Sequence, residues 1–329
     1  MRGVPPARLR LRHRHALRRP RGADPRAHPA ALLNGLERRF DDALVAAGPF
    51  EPAPRLAVGV SGGPDSLALA LLASAWAASR GGSAVALVVD HGVRPASGLE
   101  AALAERWLVA SGLEVGLLRL GAGCGRSAQA LRGARLLALA EAAREAGALH
   151  LLLGQHALDQ AETVLIRHGR GSGPDGLAAM APVRPSGPVR ILRPLLSAAP
   201  GELRAWLRRR GQPWIEDPSN ASVGLRARLR AGRADRDGVG AATLALCAVA
   251  RRAAEGRRRR EADRDEALAE GVSLFPLGHA RLDGAAWSSW PEPLARRALA
   301  ALLRAVGGGE QPVREERLEG LTAALRAGR

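Results

Sequence analysis

The stretch Leu56-Ala57-Val58-Gly59-Val60-Ser61-Gly62-Gly63-Pro64-Asp65-Ser66 runs an apolar segment into a glycine turn, and helical spacing over 66–79 follows at once. Further apolar runs occur at Ala84–Asp90, Glu114–Leu120 and Leu149–Gly154, separated by helical patterns over 98–111, 128–146 and 158–169. Strands alternating with helices of ten or more residues predict βαβ units and a parallel sheet. Continuous apolar strands further predict helices on both faces. The fold class read from this half is α/β, a doubly wound, mainly parallel sheet. Leu32, Leu33, Leu36, Phe40 and Leu44 recur at helical spacing and predict a lead-in helix.

In such a sheet, Ser61–Ser66 falls at the carboxyl end of a strand, where ligands bind. Gly62 and Gly63 let the backbone approach a ligand and turn its N–H groups inward as an anion nest. The helix that follows adds its positive dipole end, and the hydroxyls of Ser61 and Ser66 are further candidate donors. A phosphate-type ligand suits this loop. Asp65 would repel a bare phosphate, so the sequence places it on a metal ion or another polar group. An ordinary glycine turn with Ser and Asp caps accounts for the helix start but not for the whole string.

Composition narrows the chemistry. The chain has 329 residues, 47% of them hydrophobic, enough for a large domain plus a smaller one. Its 49 basic residues against 32 acidic ones give a net charge of +17, and every basic residue is Arg. That charge fits a polyanionic partner such as RNA, or a solvated surface whose arginines reflect GC-rich codon usage. Without a single Lys, a Walker A loop and a Schiff-base enzyme are both excluded. Cys124 and Cys247 stand far apart, which argues against disulfide, zinc-ribbon and all-cysteine iron–sulfur frameworks and for a reducing cytoplasm. No apolar run reaches the roughly 18–20 residues of a membrane span.

Residues 1–30 carry nine Arg, three His and one acid, Asp24, and are read as a disordered arm. Residues 31–222 form the sheet domain. After 222 the strand signal fades, and helical patterns at 225–233, 241–270, 293–305 and 312–327 predict a smaller, mostly helical domain over 223–329, with a break near Phe275–Gly284. Gly171-Ser172-Gly173-Pro174-Asp175-Gly176 satisfies G-x-G-x-x-G but follows a helix instead of a strand, so a dinucleotide fingerprint is rejected. His150 and His168 are read as residues at element ends, not metal ligands, since no zinc spacing is present.

The string Ser61–Ser66 resembles the S-G-G-x-D-S pyrophosphatase loop of the PP-loop ATPases, which cleave ATP between the α and β phosphates and need no Walker lysine. GMP, NAD and asparagine synthetases and tRNA thiolases share that loop, and later segments choose among them. Asp90-His91-Gly92-Val93-Arg94-Pro95-Ala96-Ser97 is similar to the D-H-x-L-R-x-x-S motif of the tRNA(Ile)-lysidine synthase family. Gln129, Arg132 and Arg135 resemble its A-R-x-x-R helix, with Leu136 where Tyr is common. His156, Asp159, Gln160, Glu162 and Thr163 fall where it has H-H-x-D-D-Q-x-E-T. Arg170-Gly171-Ser172-Gly173 with Gly176-Leu177 and Met180, Arg193-Pro194-Leu195-Leu196, and Trp214 through Asn220 resemble its remaining blocks in order.

This resemblance implies an adenine nucleotide α-hydrolase-like PP-loop domain, ATP and Mg²⁺ as cofactors, free L-lysine and the CAU-anticodon tRNA(Ile) as substrates, a cytoplasmic enzyme and no membrane partner. It implies ATP binding at Ser61, Gly62, Gly63, Pro64, Asp65 and Ser66, with Mg²⁺ at Asp65. Catalysis or substrate binding falls to Asp90, His91, Arg94, Arg132, Arg135, His156, Asp159 and Glu162, the last two holding the lysine ammonium and one of the arginines meeting a phosphate. tRNA contacts fall to Arg170, Asp217, Asn220, Arg226 and Arg228, and a homodimer would suit a large RNA. Gln155 and Leu158 depart from the family pattern, where His and Asp are usual, and Leu158 removes a carboxylate. Two alternatives remain: a PP-loop tRNA thiolase, which depends on cysteines, and a basic RNA-binding protein with a degenerate ATP site. For Asp159 and Glu162 the plain alternative is a solvated helix face paired with Arg167.

Overall fold

The computed structural model describes residues 10–12, 35–90, 97–119, 128–216, 240–308 and 313–328. They form two compact units: one made of residues 1–171 and 179–250, the other of 172–178 and 251–329. The expected boundary at 222 and the helix expected over 225–233 lie outside the described residues.

In the first unit the order is β1 (Arg10–Arg12), α1 (Gly35–Ala47), β2 (Arg55–Val60), α2 (Pro64–Ala78), β3 (Ser83–Asp90), α3 (Ser97–Ala110), β4 (Glu114–Arg119), α4 (Ala128–Glu145), β5 (His150–Leu152) and α5 (Ala157–His168). A hairpin of β6 (Val183–Ser186) and β7 (Val189–Leu192) and the helix α7 (Pro200–Arg209) follow. The sheet order is β1-β4-β3-β2-β5-β7-β6. The five strands from β4 to β7 are parallel, and β1 and β6 pair antiparallel at the two edges.

The alternation along β2 shows why the sheet is wound on both sides. Leu56, Val58 and Val60 join one core with Phe40, Leu44, Leu67, Leu203 and Trp206, contributed by α1, α2 and α7. Ala57 joins the opposite core with Leu139, Ala143, Leu151 and Ile191. Both sets are fully or almost fully buried, so each face loses its apolar surface to a helix layer, at about 25 cal/mol per Å². Gly59 lies on the α4 side, where an added Cβ would sit 3.0 Å from Leu153 and 3.2 Å from Leu139. The chain runs from β2 through β3 to β4 in one direction, then returns to β5 on the other side of β2. The topological switch point therefore lies between the carboxyl ends of β2 and β5, where doubly wound sheets bind ligands.

Two readings of the sequence change here. Arg10–Arg12, expected within a disordered arm, pair with β4, which otherwise leaves a row of backbone donors and acceptors open at the sheet edge. The rest of 1–34 lies outside the described residues. The β6–β7 hairpin and α7 were absent from the sequence reading. β6 is an outer strand with Arg184 and Pro185 exposed, so no apolar run marks it.

The second unit contains α6 (Pro174–Leu177), the greater part of α8 (Ala241–Gly271), a hairpin of β8 (Val272–Phe275) and β9 (His279–Leu282), α9 (Gly284–Ser289), α10 (Glu292–Gly307) and α11 (Glu315–Arg326). Trp287, Trp290, Ala295, Ala298, Leu299 and Leu318 form its core, with the two indoles edge to face at 5.8 Å. It is mostly helical, as expected, but the break near 275–284 is a two-stranded hairpin turned at Gly278, whose φ is +79°. Residues 172–178 belong to this unit and not to the sheet domain, and Asp175 pairs there with Arg260.

Candidate active site at the switch point

β2 ends at Val60 and hands the chain to the glycine loop. Gly62 has φ +82°, a left-handed conformation that favours glycine, and a Cβ there would meet Ile215 Cδ1 at 2.6 Å. Ile215 N–H also donates to Gly62 O at 3.0 Å. The segment Trp214-Ile215-Glu216 thus buttresses the loop, a role its spacing in sequence did not reveal. Gly63 caps α2 without a side-chain hydrogen bond, and Pro64 occupies the first turn, where a missing N–H costs nothing. The first-turn amides of α2 and its dipole face the end of the sheet.

The Ser66 hydroxyl donates to Gly63 O at 3.0 Å and accepts from Ser61 N–H at 3.1 Å, and its residue is buried. It braces the loop from within. Ser61 remains exposed.

The other wall comes from the turn after β5. A Cβ added at Gly154 would touch the backbone of Asp65 and Ser66 at 3.4 Å, which places this turn directly against the loop. His156 caps α5: its Nδ1 accepts from Asp159 N–H at 3.4 Å while Asp159 Oδ2 accepts from His156 N–H at 3.1 Å. In the neutral ring this leaves the proton on Nε2, which faces Asp65 Oδ2 at 3.5 Å. Asp65 Oδ1 is buried with no hydrogen-bond partner among the described residues. An orphaned carboxylate oxygen beside a phosphate loop fits a hard cation that completes its shell with phosphate oxygens and water, which is the habit of Mg²⁺. Among the described residues no cluster of three His, Cys, Asp or Glu could hold a metal by itself.

Asp159 and Glu162 share a face of α5, and neither is solvated: Asp159 is largely covered and Glu162 is completely buried. Arg167 Nη1 donates to Ala179 O at 3.0 Å. Gln160 clamps the next segment, its amide donating to Met180 O and accepting from Met180 N–H, both at 2.9 Å. These bonds hold Ala179 at φ +52°, a position that costs an L-residue energy. Leu158, where the family carries an acid, is buried.

Asp90 ends β3, and its Oδ1 accepts from Ser97 Oγ at 2.7 Å, so the motif's first and last residues bond to each other. His91 and Arg94 lie outside the described residues. On α4, Arg132 is exposed and Arg135 is partly covered. Burial, then the neighbouring Arg132 charge, pushes the Arg135 guanidinium below its usual value. Arg170 is exposed just past α5. Asp217, Asn220, Arg226 and Arg228 lie outside the described residues. His150 pairs with Glu51 at 2.9 Å at the amino end of β5, and His168 ends α5, both at element ends as expected. The open concavity around Val45, Phe50, Pro52 and Trp76 lies at the amino ends of the strands, the opposite edge from the glycine loop.

The match to known proteins follows the same outline. A family model described as a PP-loop domain matches residues 33–232. A Bradyrhizobium sp. protein named tRNA(Ile)-lysidine synthase is 37% identical over 294 residues, 84% of this chain and 81% of the relative. One of the same name from Hyphomonas neptunium is 38% identical over 276 residues, 82% of this chain and 73% of the relative. Among solved structures, a U34-tRNA thiolase from Methanococcus maripaludis superposes with a TM-score of 0.55 at 17% identity, covering 66% of this chain and 77% of that one, a likeness of fold alone. With alignments this long running through the glycine loop and both walls of the switch point, the chain belongs to the tRNA(Ile)-lysidine synthase family of PP-loop proteins.

Proposed function

We propose that this chain ligates free lysine to C2 of the wobble cytidine of CAU-anticodon tRNA(Ile) in the cytoplasm, consuming ATP and releasing AMP and pyrophosphate. The observation that carries this reading is the buried Asp65 carboxylate oxygen beside the glycine loop at the switch point, without a hydrogen-bond partner among the described residues, in a chain of this family. The C2 oxygen attacks the α-phosphorus and the bond to the β-phosphate breaks. The lysine ε-amine then attacks C2, the C2–O bond breaks, and AMP leaves carrying that oxygen. The amine sheds its protons as the C–N bond forms.

The chain's residues divide the work. The amides of the loop and the first turn of α2 receive the pyrophosphate charge that grows as the α–β bond breaks. Asp65 would hold Mg²⁺, which when bound shields that charge. Asp159, largely covered, and Glu162, buried, hold the lysine ammonium, since a carboxylate pair suits a cation. His156 fixes Asp159 through the capping box and orders the turn facing Asp65. Arg132 and Arg135 are crowded like charges on one helix and suit a phosphate of nucleotide or tRNA. Exposed Arg170, together with Asp217, Asn220, Arg226 and Arg228, is assigned to tRNA contact. Orienting three reactants at one sheet edge supplies much of the acceleration.

A thiolase of the same fold is disfavoured by Cys247, which is buried and donates its thiol to Ala157 O at 3.3 Å. Among the described residues no helix is long and apolar enough to cross a membrane. The test is nucleotide stoichiometry: AMP, not ADP, released only when both lysine and the CAU tRNA are present, with pyrophosphate release requiring the tRNA. ADP release, or turnover without tRNA, would refute the reading.

A further inference from the structure

Arg193 is the first residue past β7, at the carboxyl edge of the sheet, and β7 is the parallel neighbour of β5. Pro194 biases residue 193 away from helix, and the Arg193 N–H donates to Pro182 O at 2.8 Å. The side chain is half-buried and turns toward the β5–α5 turn. Nε donates to Gln155 Oε1 at 3.2 Å, and Nη1 donates to Ala181 O at 2.8 Å. Both acceptors are neutral. These contacts place two of the five N–H donors a guanidinium carries. Among the described residues Arg193 has no carboxylate partner, and the charge that acts on it, Arg184, has the same sign.

A guanidinium in this position cannot relieve its burial by losing a proton. Removing part of its hydration without a counter-charge is costly unless an anion arrives with substrate. The location says where such an anion would sit. Gln155 immediately precedes His156, which faces Asp65, and the same turn packs on the glycine loop. Arg193 is thus linked through one amide to the wall of the nucleotide site. An amide oxygen accepts from Nε at every pH, whereas an imidazole accepts only when neutral, so Gln155 holds Arg193 without adding a titration.

We infer that Arg193, steered by Gln155, is an oxyanion-binding residue of this site, taking a carboxylate or phosphate oxygen of a substrate. Gln155 is its positioning residue. The inference rests on the proposed ligase reading for its two candidate anions: the α-carboxylate of the free lysine, and a phosphate of the nucleotide.

The experiment uses the full chain with CAU tRNA and Mg²⁺, and compares lysine, lysinamide and ATP dependence in wild type, Arg193→Gln and Gln155→Leu. If the anion is the α-carboxylate, wild type prefers lysine to lysinamide by roughly 10- to 100-fold, and Arg193→Gln brings that preference within about threefold while ATP KM holds. If it is a phosphate, the amino-acid preference persists and ATP KM rises about tenfold. Gln155→Leu should shift the same KM in the same direction, and by less. An equal loss of kcat with all substrates, or a lowered Tm with no selective KM change, overturns the inference and leaves Arg193 as a packing residue. If wild type incorporates no lysine, the ligase reading itself has failed. Arg193 is then judged by calorimetric binding of magnesium pyrophosphate: about tenfold weaker binding in Arg193→Gln sustains the oxyanion role, and a change within about twofold overturns it.

Discussion

His156 Nε2 stands 3.5 Å from Asp65 Oδ2, joining the loop after β2 to the turn after β5 across the switch point of the sheet. The same imidazole closes the capping box with Asp159, so one ring connects the residue assigned to the metal with a residue assigned to the lysine. A single side chain thereby links the glycine loop to the start of α5.

Asp65→Asn keeps the shape and removes the charge. AMP formation should fall about 100- to 1000-fold, while tRNA retention on a filter stays within about twofold. Loss of tRNA binding with AMP formation intact would show that Asp65 acts elsewhere.

Asp159→Asn retains an oxygen that can accept from His156 N–H, so the helix cap survives. Its lysine KM should rise at least about tenfold, with ATP KM little changed. An unaltered lysine dependence would remove Asp159 from the amino-acid pocket.

Gly62→Ala forces a side chain into a left-handed backbone and against Ile215. The strain should cost about 1–3 kcal/mol of stability and weaken ATP binding as the loop opens. Wild-type Tm and ATP KM in this variant would contradict the buttress between residues 62 and 215.

Glu51 supplies a pH dependence at the other edge of the sheet. Burial pushes its carboxyl up, but hydrogen bonds from its own backbone N–H, the His150 ring and Arg55 N–H outweigh that and hold it below its ordinary value of 4.5. A depressed carboxylate contributes stability that is present above its unfolded value and lost as pH falls through the folded one. Urea midpoints should therefore drop below about pH 4.5 in wild type, and less steeply in Glu51→Gln. Parallel acid limbs in the two proteins would remove Glu51 from the linkage.

The sheet from 56 to 169 was legible because its strands are uninterrupted apolar runs and its helices carry a clear period. The β6–β7 hairpin was not, since Arg184, Pro185 and Arg190 break the apolar run. α7 does carry a helical signal: Leu203, Trp206 and Leu207, all buried, follow Pro200 and Glu202 at helical spacing. Within the site, Ser61–Ser66 could be read because the whole loop is contiguous in sequence. The pairings of His156 with Asp65 and Arg193 with Gln155 could not, because they depend on which strands are neighbours and not on local spacing. The bonds of Ser66 to Gly63 O and Ser61 N–H were hidden for a related reason, since they depend on how the loop folds back on itself.

The central claim is tested most directly with purified protein, ATP, Mg²⁺, radiolabelled lysine and CAU-anticodon tRNA(Ile), beside the same tRNA with its wobble C changed to U. Label entering only the cytidine-bearing tRNA, with AMP released in step, is the predicted result. Label in both tRNAs, or tRNA binding with no label in either, would contradict it.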